Sequence, residues 1–178
     1  MTEPAGRNPL DWSHATTDIP ERGLKQSRSA TEPERAALSA ALGLLSCEAL
    51  DATYRITAIT GGGFRLDGGL DAAVTQACVI SLEPVADRVA ESLSVEFRRE
   101  IQDEAADGDV QILSAPEVEP IVNDRIDVGR LIYETLSTGL NPYPRAEGAE
   151  LGWTDARAAA TAAASHPFAA LKKLKDPG

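Results

Sequence analysis

The chain has 178 residues, a formal net charge of −11 at pH 7 and an apolar share of 43%, which suits one domain with tails and a core that needs no metal or disulfide staples. The acidic balance opposes broad, non-specific nucleic-acid binding, which depends on neutralising phosphates with Lys and Arg, and it fits a basic protein partner better. No apolar run nears the ~20 residues that span a bilayer, and the start Met1-Thr2-Glu3-Pro4 lacks the regions of a signal peptide, so the expected location is cytoplasmic, with no membrane partner.

Residues 1–13 read as a disordered N-terminal tail, where Pro, Gly and Asn recur without a period, with Trp12 as the candidate point where order begins. The polar stretch 14–30 carries turn signals at Asp18-Ile19-Pro20 and Arg22-Gly23 and has room for a short edge strand. A helix is expected over 32–42. Thr31 and Glu34 form a T-x-x-E capping box, Pro33 falls in the first turn, and Gly43 suits a left-handed cap. Leu38, Ala41, Leu42 and Leu45 supply its apolar stripe.

The period then changes to two. Tyr54, Ile56 and Ala58 alternate with polar neighbours, Gly61-Gly62-Gly63 forms a turn, and Phe64 and Leu66 resume the alternation as a hairpin. Gly68-Gly69 marks a bend or bulge before a further strand over 70–79. Val89, Leu93, Val95 and Phe97 face one way and Arg88, Ser92, Ser94 and Glu96 the other, the pattern of a half-buried antiparallel strand, with Glu91 on the apolar side near an edge.

Residues 100–109 are an acidic, solvated loop, and Val110 and Ile112 suggest a short strand. A second helix is expected over 128–138, N-capped by Asp127, with Val128, Leu131, Ile132, Thr135 and Leu136 on one face and Gly139 and Pro142 as its stop. Ala-rich 154–165 has helix propensity but little to pack, and Phe168, Leu171 and Leu174 suggest a final short helix that docks. The expected fold is α+β: a curved antiparallel or barrel-like sheet with two main helices packed against it.

Catalysis finds little support. A nucleophile needs a base within reach. The two histidines, His14 and His166, sit near the expected tails. Cys78 lies in an apolar run, where a buried, inert thiol is the default. Cys47 and Cys78 without a scaffold pattern read as reduced thiols. No H-x-x-x-H or paired C-x-x-C supports a metal, and no Lys-Ser/Thr follows the triple glycine to make a phosphate loop. The expectation is therefore no catalytic residue, no metal and no cofactor. A cysteine-dependent hydrolase using Cys78 is the remotest alternative.

Binding finds more. The prolines of Pro142-Tyr143-Pro144-Arg145 hold an extended path. They would present Tyr143 and Arg145, both favoured interface anchors, at low entropic cost. The other reading of this segment is a helix stop with Tyr143 buried over the core. Arg130 and Glu134, on the polar side of the second helix, complete the candidate partner-binding set.

Two segments carry a resemblance. One is Thr75-Gln76-Ala77-Cys78-Val79-Ile80-Ser81-Leu82-Glu83-Pro84-Val85. The other is Ile126-Asp127-Val128-Gly129-Arg130-Leu131-Ile132-Tyr133-Glu134, running on into Asn141-Pro142-Tyr143-Pro144-Arg145. In this order they resemble the YceD family, the large ribosomal RNA accumulation proteins, over about 31–150, with an echo at 166–171. Together with the elements above, the resemblance gives a YceD-like domain over 14–150, followed by an Ala-rich tail over 151–178 with its short docking helix. It also implies a non-enzymatic accessory factor in large-subunit ribosome biogenesis.

Cys78, Glu83, Pro84 and Asp127 belong to the shared motifs without an assigned role. Many relatives have C-x-x-C where this chain has Cys78-Val79-Ile80-Ser81, so a dithiol or metal role does not carry over. Two routes to function follow: a ribosomal protein or assembly factor bound through the acidic surface, or weak direct contact with ribosomal RNA through Arg55, Arg65 and Arg145. The net charge favours the first.

Overall fold

A computed structural model describes residues 8–99 and 117–150. The chain divides into two compact units, Met1–Ala146 and Glu147–Gly178, and all the elements below belong to the first. In chain order they are β1 (Ser13–Ala15), β2 (Leu24–Ser29), α1 (Glu32–Leu42), β3 (Ser46–Ile59), β4 (Gly63–Ala77), β5 (Pro84–Arg98), β6 (Glu117–Pro120), β7 (Arg125–Asp127) and α2 (Val128–Gly139), with a 3-10 turn at Thr16–Asp18. The expected acidic loop at 100–109, the short strand at 110–112 and the C-terminal helices lie outside the described residues.

The fold is α+β. Five strands form one sheet in the order β2-β3-β4-β5-β6, antiparallel except for the parallel pair β5–β6, while β1 and β7 form a separate antiparallel ribbon. The two helices and the curved sheet agree with expectation, but the sheet stays open and does not close into a barrel, with β2 and β6 as its edges. Alternation along the strands sorts the residues. Leu50, Ala52, Tyr54, Ile56, Leu66, Leu70, Ala72, Val74, Val89, Leu93, Val95 and Phe97 face inward. Leu38 from α1 and Leu131, Ile132 and Leu136 from α2 join them in one core.

Local chemistry explains the helix ends. The Thr31/Glu34 capping box is present, with the Thr31 amide donating to Glu34 Oε2 at 2.8 Å. Gly43 adopts φ 67°, the left-handed cap that favours glycine. That cap reverses the chain, so Leu44 turns into the core while Leu45 is 53% exposed. The expected stripe is thus right at Leu38 and Leu42, but its Leu45 lies three residues past the end of the helix and Ala41 is exposed.

Two expectations are corrected. The tail does not extend to residue 13: Leu10 and Trp12 are buried, the Trp12 indole donates to Glu34 Oε1 at 2.8 Å, and Ser13 already pairs with Asp127. Gly68-Gly69 is no bend, because β4 runs unbroken through both in register with Thr53 and Tyr54. The glycine serves close approach, since a Cβ on Gly68 would lie 2.6 Å from Tyr54 Cβ. The register shift lies instead between Cys47 and Ala49. It moves the inward positions from Cys47 to Leu50 and hides the first third of β3 from a period-two reading.

Candidate partner-binding site

The motif around the start of α2 proves to be a packing unit. Ile126 is fully buried and pairs with His14. Asp127 caps α2, accepting from the Arg130 amide at 3.0 Å, and its Oδ1 also accepts from the Asn8 side-chain amide at 3.3 Å. The Gly129 amide donates to the Trp12 carbonyl at 3.0 Å, and a Cβ on Gly129 would lie 2.1 Å from the Leu10 carbonyl oxygen. Only glycine lets the N-terminal segment lie this close to the helix.

Arg130 is occupied within the fold. Its Nη1 donates to Glu134 Oε1 at 2.9 Å and its Nη2 to Glu119 Oε2 on β6 at 2.8 Å. Burial works against its charge, but the hydrogen bonds to Glu134 and Glu119 outweigh that and hold its pKa above the ordinary arginine value. Arg130 therefore ties α2 to the sheet edge, and Glu134 holds its guanidinium from within the helix.

Tyr143 and Arg145 lie beyond the far end of α2, a helix of 12 residues that spans about 18 Å. The four partner-binding candidates do not form one cluster. Tyr143 is 71% exposed, Arg145 is exposed and Pro144 between them is buried. This is the alternation of an extended segment docked by one face.

Hydrogen bonds fix that docking, while Gln76 Oε1 is buried without a partner. Gln76 Nε2 donates to the Asn141 carbonyl at 3.0 Å, the Tyr143 amide to Asn141 Oδ1 at 2.9 Å, and the Val79 amide to the Pro144 carbonyl at 2.9 Å. Opposite lies the six-residue connection Cys78–Glu83 between β4 and β5. The Cys78 amide donates to the Glu83 carbonyl at 2.8 Å and the Leu82 amide to the Cys78 carbonyl at 3.0 Å. Ser81 Oγ donates to Glu83 Oε2 at 3.0 Å. Pro84 opens β5, where a missing amide costs little. Glu83 and Pro84 thus close the turn.

Cys78 sits just past β4, not within a strand, and is fully buried. Its sulfur accepts the amides of Ile80 and Ser81 at 3.4 Å and of Ala146 at 3.3 Å. Hydrogen bonding from the Ser81 hydroxyl, then from the Ser81 and Ala146 amides, lowers the thiol pKa to about 6 against the opposing effect of burial. The hydroxyl's one proton also serves Glu83, so the amides are the steadier donors.

The other thiol, Cys47, is also free, and burial pushes its pKa up. His14 bonds Tyr54 at 2.9 Å. Tyr54 pairs with Gly68, roughly 33 Å of extended chain from Cys78, so no base from His14 reaches the sulfur. His166 lies outside the described residues. Among the described residues no group of three His, Cys, Asp or Glu is placed to hold a metal, and no helix is long and apolar enough to cross a membrane.

The sequence model of one family, described as the large ribosomal RNA subunit accumulation protein YceD, matches residues 66–175, more than half of the chain. The chain belongs to the YceD family. No curated protein and no solved structure matches it. The match sits further along the chain than the resemblance over 31–150: α1 falls outside it and 166–171 inside. Both motifs that carried the resemblance lie within it, so the Cys78 turn and the Asp127-capped helix are parts of the YceD region.

The three arginines suggested for RNA separate. Arg55 and Arg65 are exposed on the outer sheet face of this YceD protein, on adjacent strands and one row apart. Arg145 stands at the other end of β4, roughly 40 Å of extended strand away. What sequence reasoning missed is the exposure of Val79, at 49%, and Leu82, at 75%. The six residues between Ala77 and Pro84 lack the strict alternation of a strand, and that was the available signal.

Proposed function

We propose that this protein is a non-enzymatic, cytoplasmic accessory factor of large-subunit ribosome biogenesis that acts by holding a ribosomal protein or assembly factor. Family membership supports the role in large-subunit rRNA accumulation. The observation that carries the finer reading is Tyr143, 71% exposed on a backbone pinned at Asn141 and Pro144. A large side chain with no use in the core, held at little entropic cost, has the properties of an interface anchor. The net charge of −11 favours a basic partner.

The test is a Tyr143→Ala, Arg145→Ala double variant, checked for native folding and then assayed for large-subunit rRNA accumulation in a deletion strain. Loss of complementation is expected, and full complementation by the folded variant returns the segment to a structural role. A second reading, direct contact with ribosomal RNA, draws on Arg55 and Arg65 lying side by side. A pull-down with and without ribonuclease separates the two, because a protein partner survives the nuclease.

A further inference from the structure

Leu82 has φ 63°, and the other described non-glycine residues with positive φ are Asn123 and Asp124. Asn and Asp tolerate this left-handed conformation, and together those two make the tight turn between Val122 and Arg125. Leucine adopts it only at an energetic cost, because its Cβ crowds the backbone. At 75% exposed, Leu82 recovers nothing from the core in return. Folding has no use for an apolar side chain here. The turn beneath it is nevertheless fixed at both ends, by the Cys78–Glu83 and Leu82–Cys78 backbone bonds and by the Val79–Pro144 bond to the Tyr143 segment.

Charge along the outer sheet face is divided. Near the β3–β4 hairpin stand Lys25, Arg55, Arg65 and Arg98, with Asp67 and Glu96 among them. Toward the Cys78 turn stand Asp51 and Asp71, directly opposed across β3 and β4, and Glu48, against Arg88 and the exposed Arg145 of the docked segment. Like charges placed opposite each other cost stability, and the turn itself adds Glu83. The pole carrying Leu82 is the acidic one among the described residues.

We propose that the Cys78–Glu83 turn is a docking knuckle, on which exposed Leu82 and Val79, with Tyr143 beside them, take up an apolar segment of a basic protein. This rests on the protein-partner reading above and names the surface and the chemistry of its occupant. The apolar side chains supply contact area in a preformed geometry, and the acidic pole steers a cationic segment toward it.

The test is Leu82→Asn, which removes the apolar contact and suits the left-handed backbone. Its melting temperature is expected to be no lower than that of the parent. The probe is the protein fraction of large ribosomal subunits, freed of RNA by ribonuclease and titrated onto the immobilised full chain. Leu82→Asn is expected to weaken that binding roughly 30-fold, and Asp71→Lys to slow association and flatten its salt dependence. Unchanged binding by folded Leu82→Asn, with loss in the Tyr143→Ala, Arg145→Ala variant, overturns the knuckle and leaves the protein-partner reading standing. If the parent chain itself binds none of that fraction, both fall. A dimer that Leu82→Asn converts to monomer makes the occupant a second copy and overturns the proposal too.

Discussion

The amide of Ala146 donates to the sulfur of Cys78 at 3.3 Å, joining parts of the chain 68 residues apart. With the Val79–Pro144 bond it stitches the end of β4 to the segment that follows α2. Cys78 is therefore a brace, and its chemistry follows from its donors. Three amides aimed at one sulfur favour the thiolate.

The pH dependence of stability has a defined sign. The Cys78 pKa is lowered from 9.0 to about 6 in the folded chain. Between those values the unfolded chain binds more protons, so this group's contribution grows as pH rises and is lost as pH falls through the folded value. The melting-temperature gap between parent and Cys78→Ala should widen from pH 6 to pH 9. Thiolate absorbance of Cys47→Ala should titrate near pH 6, and that of Cys78→Ala above 9.0. Titration of Cys47→Ala at the ordinary thiol value would remove the brace.

Gly129→Ala should destabilise the fold by about 2 kcal/mol or more, because the new methyl meets the Leu10 carbonyl and one of two backbones must move. Chemical denaturation measures it. A loss below about 0.5 kcal/mol, the scale of an ordinary surface change, shows that the N-terminal segment yields freely.

Arg130→Ala should cost about 1 kcal/mol, as expected for partly exposed ion pairs joined in a small network. A double-mutant cycle with Glu119→Ala should show coupling between the two. Complementation should be unaffected, since Arg130 holds α2 to β6. Loss of rRNA accumulation at unchanged stability would restore it to the partner surface.

Arg55→Glu with Arg65→Glu probes the RNA reading. Arg65 pairs with buried Glu96, so a glutamate there sets like charges opposite each other and lowers stability, and native folding of the variant is verified by thermal melting before the assay. Net −11 opposes approach to phosphates, and rRNA accumulation should persist. A collapse of accumulation with partner capture intact would give the hairpin end of the sheet the functional role.

Short-range features were legible in the sequence because their causes are short-range. The Thr31/Glu34 box, the Gly43 cap, the Asp127 cap and the apolar face of α2 each depend on residues within a turn or two, and the structure has all of them. The alternation of Val89, Leu93, Val95 and Phe97 marked the buried side of β5 for the same reason. The order of the two motifs was enough to point to the family.

Register and long-range contact were decided only by the tertiary structure. The bulge between Cys47 and Ala49 broke the period that would have revealed the start of β3, and Gly68, which resembled a bend, was needed for contact with Tyr54. Glu117–Pro120 became a parallel edge strand only because β5 was there to receive it. The burial of Leu10 and Trp12 waited on α2 and β7, and the Asn8–Asp127 bond spans 119 positions. Arg130 carries the same polar sequence signal as Arg145, yet Glu119 claims the first and solvent the second. Charge and periodicity identify which residues could bind or bury; the closing of distant segments on one another determines which of them remain exposed to do so.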